Sequence, residues 1–166
     1  PSLDGSIQTI KKLQKSNLIV SAGSSFGTLL RHGIQPDFHV HVERGGDGST
    51  ADVYQELLLK YNVFDFGQTI GVVPTSIEPG LVQLYQAYLF YARPGQSPVD
   101  AWPALKSCTL KFEGTECLST AFAFTLSLSP SRVLMFGCDL GSVSSTFNRS
   151  AWSVGNSDRN FDLTVP

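Results

Sequence analysis

Short apolar runs that alternate with helical segments constrain the fold of this chain more than any other feature. The apolar runs have the length and composition of buried strands, and they lie at 18–21, 37–42, 62–66 and 132–136. The helical segments have apolar residues at helical spacing or form longer apolar stretches, and they lie at 6–15, 24–33, 49–61 and 115–128. Because strands joined through helices pair in parallel, the alternation predicts an α/β fold with one mainly parallel sheet and helices on both faces.

The remaining segments are rich in glycine, proline or polar residues. We expect 67–80 to form a loop and 93–103 to be irregular, whereas 81–91 is compatible with either helix or strand. Residues 141–166 are mostly polar. We expect them to form a flap or lid, or a connection to a missing C-terminal segment, beside a domain that spans 1–140.

Composition and charge argue against several classes of protein. The chain has 166 residues, of which 42% are hydrophobic and 16% charged, and this suffices for one globular domain. A net charge of −2 and the lack of any basic cluster larger than "KKLQK" argue against nucleic acid as a partner. The sequence has no signal peptide and no apolar run long enough to span a membrane. Its three cysteines form no CxxC motif, and an odd number favours a reducing compartment, so we expect a cytoplasmic protein.

The strand at 37–42 carries a row of titratable side chains. His39, His41 and Glu43 alternate with apolar residues and therefore share one face, next to a glycine-rich stretch. Alternate residues of a strand converge, so these three side chains can ligate a metal ion. The more common use of such a row is a polar sheet face or a set of hydrogen-bonded buried imidazoles, and this is the interpretation that we favour.

Loops that follow the predicted strands are the first place to look for a ligand. The stretches "SAGSS", "VERGGDG" and "FGCDLGS" each follow a predicted strand, and we expect the opening "PSLDGS" to follow a strand that the given sequence lacks. All are rich in glycine, serine and acidic residues, which suits phosphate binding by backbone N–H groups, although any tight βα turn uses similar residues. No GxGxxG, GxxxxGK[ST] or GxSxG motif is present, so the sequence matches no standard dinucleotide, Walker or hydrolase fingerprint.

Three blocks of sequence resemble a known family. "PSLDGSIQTIKKL", "IVSAGSSFGTLLRHGIQPDFHVHVE" and "GTECLSTAFAFTLSLSPSRVLMFGCDLGS" are similar, in this order, to blocks of the motility accessory factor family of bacterial flagellin-glycosylation proteins. They are more distantly similar to bacterial sialyltransferases that use CMP-sialic acid, and to an archaeal hydroxymethylpterin pyrophosphokinase grouped with the family. The resemblance implies a Rossmann-like domain that binds a CMP-activated nonulosonic acid.

The resemblance also implies which residues form the site. The positions that match nucleotide-sugar contacts of these proteins are Ser2, Gly23, Ser24, Glu43, Gly114, Thr115, Gly137, Cys138 and Asp139. Two departures stand out. The family usually has Asp and the sialyltransferases Asn at the position of Glu43, and 140–166 contains no histidine where those proteins place one. The general base would then be a carboxylate such as Asp158, or would lie in a missing segment.

The resemblance leads to an expected function and two alternatives. The expected function is a glycosyltransferase that transfers sialic, pseudaminic or legionaminic acid from a CMP-sugar to serine or threonine of flagellin, without a cofactor. The first alternative is an enzyme like 6-hydroxymethylpterin pyrophosphokinase, in which Glu43 and Asp139 would bind Mg²⁺. The second is a non-catalytic module that binds a sugar nucleotide or flagellin.

Overall fold

The computed structural model describes 2–42, 66–93, 102–111, 114 and 116–138. The helix expected at 49–61, nearly all of the strand expected at 62–66 and the flap expected at 141–166 lie outside the described residues. These three expectations therefore stay predictions.

The described residues form short strands and helices that alternate along the chain. The strands are β1 (Val20–Ala22), β2 (Phe38–Val40), β3 (Ile70–Pro74) and β4 (Ala87–Tyr91). The helices are α1 (Ser2–Leu13), α2 (Ser25–Arg31), α3 (Pro79–Val82), α4 (Pro103–Lys106) and α5 (Cys117–Ser127).

The four strands form one parallel sheet in the order β1-β2-β3-β4. The register places Ser21, His39 and Gly71 in one row across the sheet. The neighbouring row, which points to the opposite face, contains Ala22, Val40 and Val72. The sheet has the parallel pairing that the alternation of strands and helices predicts.

Helices cover both faces of this sheet. On one face, Val40 and Val72 pack against Ala121 and Phe124 of α5. On the other face, the buried cluster contains Phe26 of α2 together with Leu30, Phe66, Leu81 and Tyr85. The prediction of an α/β, Rossmann-like arrangement with helices on both faces is confirmed.

Helix α1 packs against α2. Its apolar residues Leu3, Ile7 and Ile10 recur at helical spacing and are buried against Leu29 and Ile34. The helix begins at Ser2, four residues before the expected start, so most of the opening "PSLDGS" is helix and not loop.

Helix α2 stops where the sequence predicts: it ends at Arg31, His32 is its C-cap, and Gly33 follows. This glycine has a φ of +69°, in the left-handed region that favours glycine. Its N–H donates to the Leu30 carbonyl, and the N–H of Ile34 donates to the Leu29 carbonyl at 2.9 Å. These two bonds make a Schellman motif, and the contact between Ile34 and Leu29 adds its usual apolar pair.

Two predicted elements were wrong. The expected loop at 67–80 contains β3 and the start of α3. Val72 and Val73 are buried in this strand, and Gly71 and Pro74 do not act as turn residues. The strand expected at 132–136 is absent: this segment pairs with no strand among the described residues, although its composition is apolar. A strand needs a neighbour that pairs with its backbone N–H and C=O groups, and none of the described strands pairs with this segment.

Candidate functional site

The carboxyl ends of the parallel strands all lie at one edge of the sheet, and the candidate site is built there. The chain leaves β1 through Gly23 and Ser24, and Gly23 has a φ of +44°. The N–H of Gly23 donates to the Val40 carbonyl at 3.0 Å, so this turn is attached to the end of β2. The loop that follows β1 is therefore held in a fixed position at the strand-end edge.

The start of helix α5 packs directly against this loop. A Cβ atom added to Gly23 would lie 2.8 Å from Sγ of Cys117, which leaves no room for a side chain. A Cβ added to Gly114 would lie 2.6 Å from Cβ of Ser119, and the Gly114 carbonyl accepts a bond from the Thr120 hydroxyl at 3.3 Å. Three of the sequence-predicted residues, Gly23, Ser24 and Gly114, thus lie around the N-terminus of α5.

A second group of sequence-predicted residues lies at the start of α1. Gly137 has a φ of +69°, and a Cβ added to it would lie 2.8 Å from Cβ of Leu3. Ser2 precedes Leu3 in α1, and Cys138 follows Gly137. The thiol of Cys138 donates to the Phe136 carbonyl at 3.5 Å. The structure thereby brings together Ser2, Gly137 and Cys138, which are far apart in the sequence.

A cavity of about 590 Å³ reaches Cys138 and residues that neighbour both groups. Its lining includes Ala22 and Ser25 beside the first group and Leu3 and Cys138 in the second. Most of the cavity runs along β1 between apolar side chains, so only its end belongs to the strand-end edge. The other sequence-predicted residues, Glu43, Thr115, Asp139 and Asp158, lie outside the described residues.

Behind the Gly23 loop lies a buried network of His39, His41 and Tyr85. The Tyr85 hydroxyl is 2.6 Å from Nδ1 of His39 and 3.1 Å from Nε2 of His41. Nε2 of His39 is 3.0 Å from the Gly23 carbonyl, and the His39 ring stacks on Phe26 with ring centroids 4.0 Å apart. Both imidazoles are completely buried and hydrogen-bonded, so the interpretation as buried, hydrogen-bonded imidazoles is confirmed for His39 and His41.

The acceptor at the end of this network fixes the direction of its hydrogen bonds. A carbonyl only accepts, so Nε2 of neutral His39 carries the proton and donates to Gly23. Nδ1 of His39 then accepts from the Tyr85 hydroxyl, and the Tyr85 oxygen accepts from the N–H at Nε2 of His41. The chain of donors runs from His41 through Tyr85 and His39 to the carbonyl of the site loop.

Burial keeps both imidazoles neutral. It lowers the pKa of His41 to about 3. Burial also lowers the pKa of His39 well below its ordinary value, the nearby His41 lowers it further, and the hydrogen bond to Gly23 opposes both effects. Within the described part of the chain, no group of three or more His, Cys, Asp and Glu side chains is arranged to hold a metal ion.

Tyr85 and Gly71 are the network residues that sequence reasoning missed. The Tyr85 ring lies over Gly71, where an added Cβ would be 3.0 Å from the ring carbons. Gly71 pairs with His39 in the next strand, so a side chain at this position would push the tyrosine away from the histidines. A glycine inside an apolar strand signals such a close approach, and this was the available clue.

Glu78, beyond the end of β3, is a second residue that the sequence did not indicate. It precedes α3, and its side chain is only 7% exposed. Its oxygen Oε2 is buried without a hydrogen-bond partner among the described residues. A buried carboxyl group at the edge where ligands bind is a candidate polar contact for a ligand.

The fold and these loops define an α/β domain of Rossmann-like architecture with a candidate ligand site at its strand-end edge. The family model described as "6-hydroxymethylpterin diphosphokinase MptE-like" matches residues 1–145, and the chain belongs to this family. None of the helices in the described ranges has the length and apolar character that crossing a membrane requires.

The structure is also similar to that of the MAf glycosyltransferase from Magnetospirillum magneticum AMB-1. The TM-score is 0.66 and the identity is 25%, over 77% of this chain. The matched region covers 20% of the glycosyltransferase chain, so the present chain spans about a fifth of its length. No curated protein matches the chain. The similarity confirms the resemblance to motility accessory factors that the sequence blocks indicate.

Proposed function

We propose that this chain is the nucleotide-sugar-binding domain of a glycosyltransferase that transfers a nonulosonic acid from a CMP-sugar to serine or threonine of flagellin. The observation that carries the proposal is the structural similarity to the MAf glycosyltransferase over 77% of the chain. The arrangement of Gly23, Ser24 and Gly114 around the N-terminus of α5 supports it, because such a place suits the phosphate of a sugar nucleotide.

The strand-end edge would serve the transfer by holding the leaving group. As the bond between the anomeric carbon and the phosphate oxygen breaks, negative charge develops on the phosphate of CMP. Backbone N–H groups of the Gly23 loop and of the first turn of α5 would stabilise this charge. The acceptor hydroxyl oxygen bonds to the anomeric carbon, and its proton passes to a carboxylate, for which we propose Asp158.

The remaining proposed contacts complete the binding of the donor. In the sequence, Glu43 comes shortly after β2 and Asp139 comes shortly after the segment 132–136. Thr115 lies between Gly114 and α5. Ser2, Gly137 and Cys138 would contact the donor from the other side of the site. The family resemblance is the basis for proposing these contacts. Each of the five polar side chains can be tested by its own substitution: Ser2, Glu43, Thr115, Cys138 and Asp139.

One alternative function has support from the family description, which names a 6-hydroxymethylpterin diphosphokinase. In this alternative the chain would transfer diphosphate from ATP to a pterin alcohol. Mg²⁺ would neutralise the phosphate charges and would need carboxylate ligands, for which Glu43 and Asp139 are the candidates.

A ligand-dependent thermal shift separates these functions. The chain would be melted with CMP, CMP-sialic acid, ATP and 6-hydroxymethylpterin, each with and without Mg²⁺. A ligand at about 100 times its Kd stabilises the folded state by about 2.7 kcal/mol, which raises the Tm of a domain of this size by roughly 5–10 °C. A shift with CMP ligands regardless of Mg²⁺ supports the transferase, and a shift with ATP that needs Mg²⁺ supports the kinase. A chain that shifts with none of these ligands contradicts both.

Two neighbouring serines provide matched variants for the site. The Ser24 hydroxyl makes no cap hydrogen bond in α2, whereas the Ser25 hydroxyl bonds both backbone groups of Ala22 at 3.2 and 2.9 Å. Ser24→Ala should therefore weaken the shift with CMP while the Tm without ligand stays nearly constant. Ser25→Ala should lower the Tm without ligand, since each lost bond costs about 1 kcal/mol. If Ser24→Ala leaves the CMP-induced shift unchanged, the Gly23 loop does not bind the nucleotide.

A further inference from the structure

The His39 imidazole lies directly behind the Gly23 loop. His39 is on β2 and pairs with Ser21 of the neighbouring strand β1. Its Nε2 atom is 3.0 Å from the Gly23 carbonyl oxygen, to which it donates. The ring is completely buried, so water does not compete for this hydrogen bond. A hydrogen bond that is shielded from water is electrostatically stronger than an exposed one, and it therefore constrains the loop.

The Gly23 carbonyl oxygen has two donors, and they come from different elements of the fold. One is His39 of β2, and the other is the N–H of Phe26 in α2, at 3.3 Å. A carbonyl oxygen has two lone pairs, and both are used here. The Phe26 ring also stacks on the His39 ring, with centroids 4.0 Å apart. These contacts fix the orientation of the peptide group between Gly23 and Ser24.

This orientation determines where the Ser24 N–H points. The Gly23–Ser24 peptide is trans, and in a planar trans peptide the C=O and N–H bonds point in opposite directions. Because the carbonyl points back to the buried His39, the N–H points away from it. Gly23 is buried, whereas Ser24 is half-buried. No hydrogen bond between described residues uses the Ser24 N–H, so this donor is available to a ligand.

Glycine alone would not maintain this orientation. Gly23 has a φ of +44°, and a glycine also adopts other backbone conformations at little cost, so the peptide that follows it can rotate. A rotated peptide would direct the partly negative Gly23 carbonyl oxygen to the side where the Ser24 N–H now lies, and this would repel a phosphate. Rotation would also leave the buried N–H of His39 without its acceptor, which is costly. His39 therefore opposes the rotation.

Tyr85 keeps His39 in the tautomer that this role needs. The Tyr85 hydroxyl is 2.6 Å from Nδ1 of His39 and donates to it, so the imidazole proton stays on Nε2. His41 donates to the same hydroxyl at 3.1 Å. His41 is thus connected to Gly23 through Tyr85 and His39, and its removal leaves both of the bonds that hold the loop.

We propose that His39 is a positioning residue of the candidate site: it holds the Gly23–Ser24 peptide so that the Ser24 N–H faces the phosphate of the sugar nucleotide. The identity of the ligand rests on the proposed function. The orientation of the peptide is a property of the chain without ligand and can be measured separately. A side chain buried behind the loop thereby contributes to ligand affinity without touching the ligand.

Three substitutions separate positioning from a purely structural role. His39→Leu fills the site of the ring with an apolar group and removes the donor to Gly23. His39→Gln keeps a side-chain N–H that can reach the same carbonyl, so it should restore what the leucine loses. His41→Leu is the matched control, because it removes the other buried imidazole of the same strand but leaves the bonds from Tyr85 to His39 and from His39 to Gly23.

The first measurements use NMR without ligand. The imidazole ¹⁵N spectrum of the wild-type chain should show the His39 proton on Nε2. The amide signal of Ser24 should move or broaden in His39→Leu, return toward its wild-type position in His39→Gln and stay in place in His41→Leu. The wild-type imidazole spectrum decides the donor role even if a leucine variant fails to fold.

Calorimetric titration with CMP then measures affinity in variants whose melting curves show that they are folded. The Kd should rise about tenfold or more in His39→Leu, as expected for weakened bonds to a charged group. It should change by less than about threefold in His39→Gln and in His41→Leu, although His41→Leu should lower the Tm.

Two results would overturn the inference. One is a His39 proton on Nδ1 in the wild-type chain, because Nε2 would then not donate to Gly23. The other is a CMP affinity that is unchanged in His39→Leu, or reduced equally in the two leucine variants, since the network would then act on stability alone. A wild-type chain that binds neither CMP nor CMP-sialic acid would contradict the proposed function instead. The Ser24 amide in the ligand-free variants would still decide whether His39 holds the loop.

Discussion

The buried histidine pair makes stability depend on pH in a direction that can be worked out. The ordinary pKa of histidine in an unfolded chain is about 6.5. In the folded protein, burial lowers the pKa of His41 to about 3 and lowers that of His39 well below the ordinary value. The unfolded chain therefore binds more protons than the folded protein at acidic pH. The stabilisation is complete above about pH 6.5 and is lost as the pH falls from there toward the folded-state values.

The size of the effect follows from linkage. Consider a histidine whose pKa is about 6.5 in the unfolded chain and much lower in the folded protein. Between pH 7 and pH 5 it reduces the free energy of unfolding by about 2 kcal/mol. His41 should therefore lower the free energy of unfolding by about 2 kcal/mol over this range, and His39, whose pKa is lowered in the same direction, should add to this loss. That is a large fraction of the 5–15 kcal/mol that stabilises a typical domain.

Urea denaturation at pH 5, 6, 7 and 8 measures this prediction. The free energy of unfolding should be nearly constant from pH 8 to 7 and should then fall. His41→Gln should remove about 2 kcal/mol of the loss, whatever its effect on stability at pH 7, whereas His32→Gln, a control outside the network, should lose stability on acidification as the wild-type protein does. An unfolding free energy that is equal at pH 5 and pH 7, or larger at pH 5, would refute the account of the network.

Three substitutions test the packing around the network and in α1. Tyr85→Phe removes the hydroxyl that bonds both histidines, and it should cost about 1–3 kcal/mol for each of the two bonds in urea denaturation; a change below about 0.5 kcal/mol would show that the network does not stabilise the fold. Gly71→Ala places a methyl group 3.0 Å from the Tyr85 ring. It should destabilise by about 1–3 kcal/mol, and an unchanged Tm would mean that the ring moves freely. Gly5→Ala adds a methyl group in α1 with nothing within 4 Å; it should stabilise by about 0.5–1 kcal/mol, and a lower Tm would contradict the placement of this helix.

The sequence predicted the class of fold because parallel α/β folds leave a strong periodic pattern. The strand around Phe38, the glycine that follows α2 and the helix α5 are all visible as patterns of apolar spacing and turn residues. The prediction failed at β3, where Gly71 and Pro74 look like turn residues but lie within a strand. Gly71 is there because the Tyr85 ring leaves no room for a side chain. It also failed at 132–136, because pairing depends on a neighbouring strand and not on composition.

The site was predictable only in part, for a related reason. Loops that follow strands are recognisable by their small residues, so Gly23 and Ser24 could be placed at the strand-end edge. Tyr85 could not be linked to His39 from the sequence, since 46 residues separate them and only tertiary packing brings the hydroxyl to the imidazole. The buried position of Glu78 was likewise hidden, because nothing in the local sequence distinguishes it from an exposed helix cap.

The central claim is that CMP-sugar binds where the Gly23 loop meets the start of α5, and an NMR titration of the backbone amides tests it most directly. Adding CMP, and then CMP-sialic acid, should shift the amide signals of Gly23, Ser24 and Cys117 in a saturable way. The amide of Ser107, at the end of α4, serves as an internal reference that should not move. Saturable shifts confined to the Gly23 loop and the first turn of α5 are the predicted result. No shift at millimolar CMP and CMP-sialic acid, or shifts that spare these three amides, would contradict the claim.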